Sequence, residues 1–325
     1  MKTQTARERS LIIVLALLVD LGLGDPPNPL HPVAWMGNAI GWAQRKAPPT
    51  GARAQFLYGG VVAGGGALLA AGSGWLLTRA TTRLPWLLQL LTTALLLKTT
   101  LALRGLAAAA HAVYQPLQQD NLNEARRQLS WHLVSRATRN LTVGEVAAAT
   151  IESVAENTSD GVIAPLCFYM IGGLPAALAY RYVNTADAML GYRDPAREWL
   201  GKPAARLDDL LNLLPARLTA LLLIAAAWLT NEHAHGTWMI WRRDARQTAS
   251  PNAGHPMAAM AGALGVALAK TGHYNLGAGQ RAPIPADIPR SLQLMRVAVL
   301  MAGLLPLTLW LNTFICRKGA MTNDQ

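Results

Sequence analysis

Residues 57–78, running from Leu57 to Thr78, contain no charged side chain. An uncharged stretch of that length, about 20 residues, is what a helix needs to cross the hydrocarbon core of a bilayer. Further apolar segments lie near 11–23, 85–103, 162–182, 211–230 and 297–316. Charged residues make up only 14% of the chain, against roughly a quarter in soluble domains. There are 10 Trp against 3 Phe, and Trp favours the membrane interface. The expectation is an all-α, polytopic integral membrane protein. It has about four to six membrane segments joined by helical polar loops, in a single membrane-embedded domain over residues 1–325.

The individual segments carry further detail. Lys2, Arg7 and Arg9 precede the run from Leu11 to Val19, which superficially resembles a signal peptide. Asp20 interrupts that run and no small-residue cleavage site follows, so an uncleaved anchor or shallow segment is expected. Gly59, Gly60, Gly64, Gly65, Gly66, Gly72 and Gly74 suit close helix packing in lipid. Lys98 lies near the end of the run from Pro85 to Leu103, where it is expected to snorkel toward water. Segment 162–182 contains Gly172-Gly173-Leu174-Pro175, which favours a break. Two readings stay open there, a kinked span or a re-entrant hairpin; broken helices at membrane depth need protein or water to satisfy their backbone. Strand-like alternation is absent, and residues 273–290 read as an extended loop.

The net charge of +11 raises the question of nucleic acid. The basic residues are spread between apolar runs, with no basic block or nucleic-acid motif, so attraction to anionic lipid and to phosphorylated substrates is the better reading. Cys167 and Cys316 lie in apolar runs without metal-ligand spacing and read as small apolar filler. Phosphate-loop, dinucleotide, serine-elbow and zinc signatures are all missing.

Polar clusters sit at the edges of the apolar runs. Thr142 and Glu145 form a capping-box pattern that starts a helix near Val143. On that helix Glu145, Glu152 and Glu156 share one stripe, because seven residues at about 100° each nearly complete two turns. Val146, Ala147, Ile151, Val154 and Ala155 take the other side. This stripe reads either as an oxygen-rich magnesium or nucleotide site or as a solvated face with Glu145 only capping. Asn184 and Asp187 share a face just after an apolar run, where polar groups are costly. Arg206 and Asp209 have the spacing of a helix ion pair, and Arg217 at the mouth of an apolar run is an anchor or a phosphate ligand. Gly191 is placed to end a helix. Ser250 to Pro256 reads as a turn, and His31 as a structural hydrogen-bonding group.

Five segments in order carry a specific resemblance: LLVDLGLGDPPNPLHPVAWMG (17–37), ATIESVAENTSDGVIAPL (149–166), ALAYRYVNTADAMLGYR (177–193), ARLDDLLNLLPARLTALL (205–222) and SPNAGHPMAAMAGALGV (250–266). Together they resemble the adenosylcobinamide-phosphate synthase family, CobD/CbiB, over nearly the whole chain. The resemblance implies an inner-membrane enzyme of cobalamin (vitamin B12) synthesis. Such an enzyme joins aminopropanol, or its phosphate ester, to a propionate carboxylate of adenosylcobyric acid. ATP-dependent activation is the expected logic, with Mg2+ as activator. Cobalt belongs to the substrate, so no protein cobalt site is expected. The implied partners are these small molecules and the lipid bilayer, with other late cobalamin enzymes possible and no nucleic acid.

The motifs carry over Glu152, Glu156, Asn157, Asp160, Asn184, Asp187, Arg206, Asp208, Asp209, Arg217 and Asn252 as site positions. Within that set, Glu152, Glu156 and Asp160 are expected to hold magnesium. Arg206 and Arg217 would hold phosphates, with Asn157, Asp209 and Asn252 also binding substrate. Asp187 or Asp208 would take the proton of the attacking amine, and Asn184 would orient substrate. ATP would place the site on the cytoplasmic side, with 162–182 as a hairpin keeping its flanks together. Two departures from the family pattern are Ala137, usually acidic, and Met257, commonly Glu. Rival expectations are an inner-membrane regulatory protein of the related AmpE type, which would be expected to lose these polar clusters, and a corrinoid transporter.

Overall fold

The computed structural model describes residues 4–191, 198–270 and 272–322, with side chains as far as Pro306. Tyr192 and Arg193 of the third motif, and the Cys316 side chain, lie outside the described part. The elements are helical almost throughout. They are α1 (Ala6–Leu23), α2 (Pro32–Arg45), α3 (Ala52–Gly60), α4 (Gly66–Thr81), α5 (Trp86–Lys98), α6 (Leu103–Gln118), α7 (Leu122–His132), α8 (Val143–Thr158), α9 (Ala164–Leu190), α10 (Glu198–Leu211), α11 (Leu213–Leu229), α12 (Ala234–Asp244), α13 (Gly254–Leu264) and α14 (Asp287–Thr322). One short antiparallel hairpin, β1 (Leu268–Lys270) and β2 (Tyr274–Leu276), pairs Lys270 with Tyr274. Three-residue strands are too short to show alternation, so the sequence reads there as loop.

Four helical stretches are long and apolar enough to cross a membrane: 52–81, 86–118, 143–190 and 287–306. A fifth arises if α10 and α11, bent by 49°, count as one broken span. The protein is thus an all-α polytopic membrane protein. Helix α1 is not among these spans. Its 18 residues carry Arg7, Glu8, Arg9 and Asp20. Leu57, Val61, Leu68 and Leu69 stand exposed along α3–α4, which suits lipid rather than water as their neighbour.

The described residues divide into two compact units interleaved along the chain. The first comprises residues 1–101, 165–208 and 300–325; the second comprises 102–164 and 209–299.

In the first unit α1 packs along α5. Lys98, 3% exposed, lies 3.4 Å from Asp20 and also pairs with Asp25. Snorkelling is therefore not what Lys98 does: two carboxylates inside the fold offer it more than distant water. Of the glycines in 57–78, three meet neighbours. A Cβ on Gly59 would strike the Leu200 carbonyl, on Gly66 the Tyr182 ring, and on Gly74 the backbone of Pro175 at 2.7 Å. Gly60, Gly64, Gly65 and Gly72 face open space. The break in α9 falls at Gly173, with φ +66°. Arg9 Nη1 donates to the Met170 and Ile171 carbonyls just before it, at 2.6 and 3.2 Å. An arginine at the N-terminus thus satisfies acceptors that the break leaves without a helical partner.

In the second unit α13 is buried along its whole length and packs on α8, α11 and α12. Met257 is part of that core, and α13 ends at Gly265 in the left-handed region, φ +64°. Helix α8 starts with the expected capping box between Thr142 and Glu145. Residues 146 to 155 are then buried on all sides, so the solvated-face reading of α8 fails at Glu152, while Glu156 and Asn157 at the end of the helix keep some exposure.

Candidate functional site

In the first unit, the second half of α9 and the end of α10 bring two motifs into contact. Asn184 Nδ2 donates to Asp208 Oδ1 at 3.3 Å, and Arg181 Nη1 donates to Asn184 Oδ1 at 3.3 Å. Asp208 is buried, whereas Asp187, one helical turn beyond Asn184, is partly exposed. Helix α9 ends at Leu190, and the Gly191 amide still makes the helical bond to the Asp187 carbonyl at 2.7 Å. A Cβ at Gly191 would collide with the Asp187 carboxylate. Arg206 is exposed on α10.

In the second unit, Asn252 joins the Ser250 turn to α10 and α11. Its Nδ2 donates to the Asp209 carbonyl at 2.7 Å, and Arg217 Nη1 donates to its Oδ1 at 3.4 Å. Ser250 Oγ donates to Asp209 Oδ1 at 3.1 Å. The turn is followed at once by α13, so His255 lies in its first helical turn. Trp241 Nε1 donates to His255 Nδ1 at 3.0 Å. Burial, and then the charges of Arg217 and Arg246, lower the His255 pKa to about 4, so the imidazole is neutral at pH 7.

The α8 carboxylates form a separate group in the second unit. Glu152 is buried and its Oε2 lies 3.4 Å from Arg136 Nη2. Glu156 is one turn on and partly exposed, and Asn157 Nδ2 donates to the Ser153 carbonyl at 2.9 Å. Asp160 falls in a π-type turn, Ser159–Ile163. Glu152 and Glu156 line a polar cavity of about 190 Å3 together with Arg136, Ser153, Lys270 and Tyr274. Ala137 is exposed beside Arg136.

These contacts bear on the magnesium expectation. Among the described residues, no three His, Cys, Asp or Glu come close enough to share a metal ion. The π-type turn alters the helical spacing that would keep Asp160 under Glu156. Arg136 and Lys270 also place two cations beside Glu152, which opposes a divalent ion. The three carboxylates do not fit a protein-only magnesium centre.

Two larger cavities contain none of the motif carboxylates or amides. One in the first unit, about 900 Å3, has mainly apolar walls that include Trp35, Leu69, Leu95 and Tyr182, with Lys98 beside it. One in the second unit, about 540 Å3, holds His233, His235, Arg281 and Arg290. Its guanidiniums are already paired, Arg281 with Asp287 and Arg290 with Glu232 and Asp287. Sequence reasoning overlooked Lys270 and Tyr274, which lie in a segment without helical periodicity. It also overlooked the Lys98–Asp20 pair, although single opposite charges in two apolar runs were a usable signal.

The CobD/Cbib protein family matches residues 13–297. A cobalamin biosynthesis protein CobD of Dehalococcoides mccartyi is 42% identical over 300 residues, covering 89% of this chain and 93% of its own. A cobalamin biosynthesis protein CobD of Yersinia enterocolitica is 42% identical over 312 residues, covering 90% and 94%. A cobalamin biosynthesis protein CbiB of Salmonella choleraesuis is 38% identical over 303 residues, covering 89% and 93%. No solved structure matches the chain. A family match of this extent, with relatives about 40% identical over nearly the whole chain, establishes that the chain belongs to the CobD/CbiB family.

Proposed function

We propose that this protein acts in cobalamin biosynthesis as an amide ligase, joining aminopropanol or its O-phosphate to a propionate carboxylate of adenosylcobyric acid. Support comes from the family match over 13–297 and the cobalamin-synthesis names of its relatives. The observation that carries the residue-level reading is the Asn184–Asp208 hydrogen bond, which unites two polar motifs next to Asp187.

An amine does not displace hydroxide from a carboxylate at useful rates, so the carboxylate must be activated. In this reading its oxygen attacks the γ-phosphorus of ATP and ADP leaves. The amine nitrogen then attacks the acyl carbon, and inorganic phosphate leaves. Asp187 accepts the proton that the amine must lose, since it is more accessible than Asp208. Asp208 holds Asn184, which has a second amide hydrogen for the substrate. Arg206, exposed on α10 in the first unit with Asp187 and Asn184, is the phosphate ligand. Magnesium enters on the nucleotide phosphates as part of that substrate. The inner membrane is the site of action, with the chemistry facing the cytoplasm, where ATP is.

The test uses protein in nanodiscs with adenosylcobyric acid, ATP, magnesium and either amine, followed by mass spectrometry of the corrinoid. An amide-linked product is expected only with ATP present. Unchanged cobyric acid with folded protein would end the ligase reading. Asp187→Asn should lower turnover by about 10²- to 10⁴-fold with membrane insertion intact; near-normal turnover would remove Asp187 from the proton-accepting role.

A further inference from the structure

Arg217 stands in the second turn of α11, on the face of that helix that is turned outward. Leu213, Leu214, Leu221 and Trp228 are exposed, Leu214 at 65% and Trp228 at 73%. At about 100° per residue, all four lie within roughly 60° of Arg217 around the helix axis. Helix α11 belongs to the broken candidate span, so this stripe has lipid for its neighbour. An arginine on such a stripe is costly unless its head reaches the interface and an anion there. Among the described residues, the hydrogen bonds of its guanidinium go to the Leu213 carbonyl at 2.6 Å and to Asn252 Oδ1 at 3.4 Å, both neutral acceptors.

Asn252 ties Arg217 to the Ser250 turn, and the same turn leads to a donor without an acceptor. His255 is 7% exposed, and its Nδ1 accepts from Trp241 Nε1. A nitrogen that accepts an N–H carries no proton itself, so the proton of the neutral ring is on Nε2. That Nε2 is buried with no hydrogen-bond partner. A buried donor left open calls for an acceptor from outside the chain. His255 lies in the first turn of α13, at the positive end of the helix dipole. The charges of Arg217 and of the exposed Arg246 both act on its ring. Asp209, which accepts from Ser250 Oγ, sets one carboxylate against these two guanidiniums, so the corner keeps an excess of positive charge.

We propose that Arg217, Arg246 and the His255 Nε2–H form a site for the phosphodiester of an anionic phospholipid, whose acyl chains lie along the Leu214, Leu221 and Trp228 stripe. One phosphate oxygen accepts from the Arg217 guanidinium, which Asn252 holds in place. A second meets the His255 Nε2–H as the headgroup seats, and Arg246 adds its charge. An anionic lipid suits the corner better than a zwitterionic one, because a choline or ethanolamine cation would bring positive charge to a place that already has an excess. A lipid suits it better than a soluble phosphate compound, because the guanidinium shares its face with exposed apolar side chains. Arg217 is then both membrane anchor and phosphate ligand, the two roles its place in the sequence left open. The site stands apart from the ligase reading and does not depend on it.

The test is titration of the full chain in detergent, with the bound fraction read by native mass spectrometry. The probes are dioctanoyl phosphatidylglycerol, dioctanoyl phosphatidylcholine and inorganic phosphate. Phosphatidylglycerol is expected to bind at least about tenfold more tightly than either of the others. Arg217→Gln should weaken it by about tenfold, and Arg246→Gln, at an exposed position, by about threefold. His255→Asn keeps an acceptor for Trp241 but loses the donor at the Nε2 position, and should weaken it by about threefold. Arg242→Gln removes a cation elsewhere on α12 and should leave the affinity unchanged. Folding of each variant is verified by gel filtration. Equal affinity for the two lipids overturns the site, and so does inorganic phosphate binding as tightly as phosphatidylglycerol, which would make the corner a soluble-phosphate site. Equal losses in Arg217→Gln and Arg242→Gln would reduce the binding to diffuse charge attraction and overturn it as well. Unchanged affinity in both Arg246→Gln and His255→Asn has the same consequence.

Discussion

His255 illustrates how one side chain registers its surroundings. Its Nδ1 accepts from Trp241, and burial lowers its pKa from the ordinary 6.5 to about 4. The neutral ring is the folded form, so the unfolded chain binds the extra proton. The stability this contributes is present above about pH 6.5 and is lost as pH falls toward 4. His255→Asn keeps an acceptor near Trp241 but cannot titrate. Its thermal midpoint should fall less than that of the wild type between pH 7 and pH 5, measured by scanning fluorimetry in one detergent. Lys98 makes the complementary case. Replacing it by Met strips a buried cation from Asp20 and Asp25, an expected loss of about 3–5 kcal/mol. The unfolding midpoint should recover in part when Asp20→Asn is added, and no recovery would argue against the pair.

At the scale of elements, packing in the first unit is set by where glycine is required. The three occupied positions, Gly59, Gly66 and Gly74, meet Leu200, Tyr182 and Pro175, while their glycine neighbours face open space. Gly74→Ala would force a Cβ against the Pro175 backbone and should cost about 1–3 kcal/mol. Gly72→Ala meets nothing and should stay within about 0.5 kcal/mol of wild type. Equal effects in a denaturation series would refute this view of the contact. The glycine-rich composition of the span was legible in the sequence, but the subset in contact was not, because composition carries no information about which face a partner takes. The break in α9 was legible, since Gly172, Gly173 and Pro175 disfavour continuous helix. Its partner Arg9, about 160 residues away in sequence, was not.

At the scale of the whole molecule, the question is which compartment the polar motifs face. The proposed ATP chemistry puts them in the cytoplasm. A Thr185→Cys variant, with Cys167 and Cys316 replaced by Ala, should react with an impermeant maleimide only in inside-out vesicles. Labelling of intact spheroplasts at position 185 would refute the cytoplasmic assignment. The sequence reads as one membrane-embedded domain, whereas the described residues divide into two compact units, and the chain passes between them after Leu101, at the start of α9 and within α10 and α14.

The sequence by itself determined the helical membrane class, the capping of α8, the break near Gly173 and the family, because these rest on local pattern and on ordered motifs. Only the tertiary structure decided which polar residues meet. Asn184 with Asp208, Asn252 with Asp209 and Arg217, and Glu152 with Arg136 are joined across 16 to 43 residues. It also separated Asp160 from a shared ion site and brought Lys270 and Tyr274 beside Glu152. Local preference fixes backbone conformation residue by residue, whereas a binding site depends on distances between segments that only packing sets.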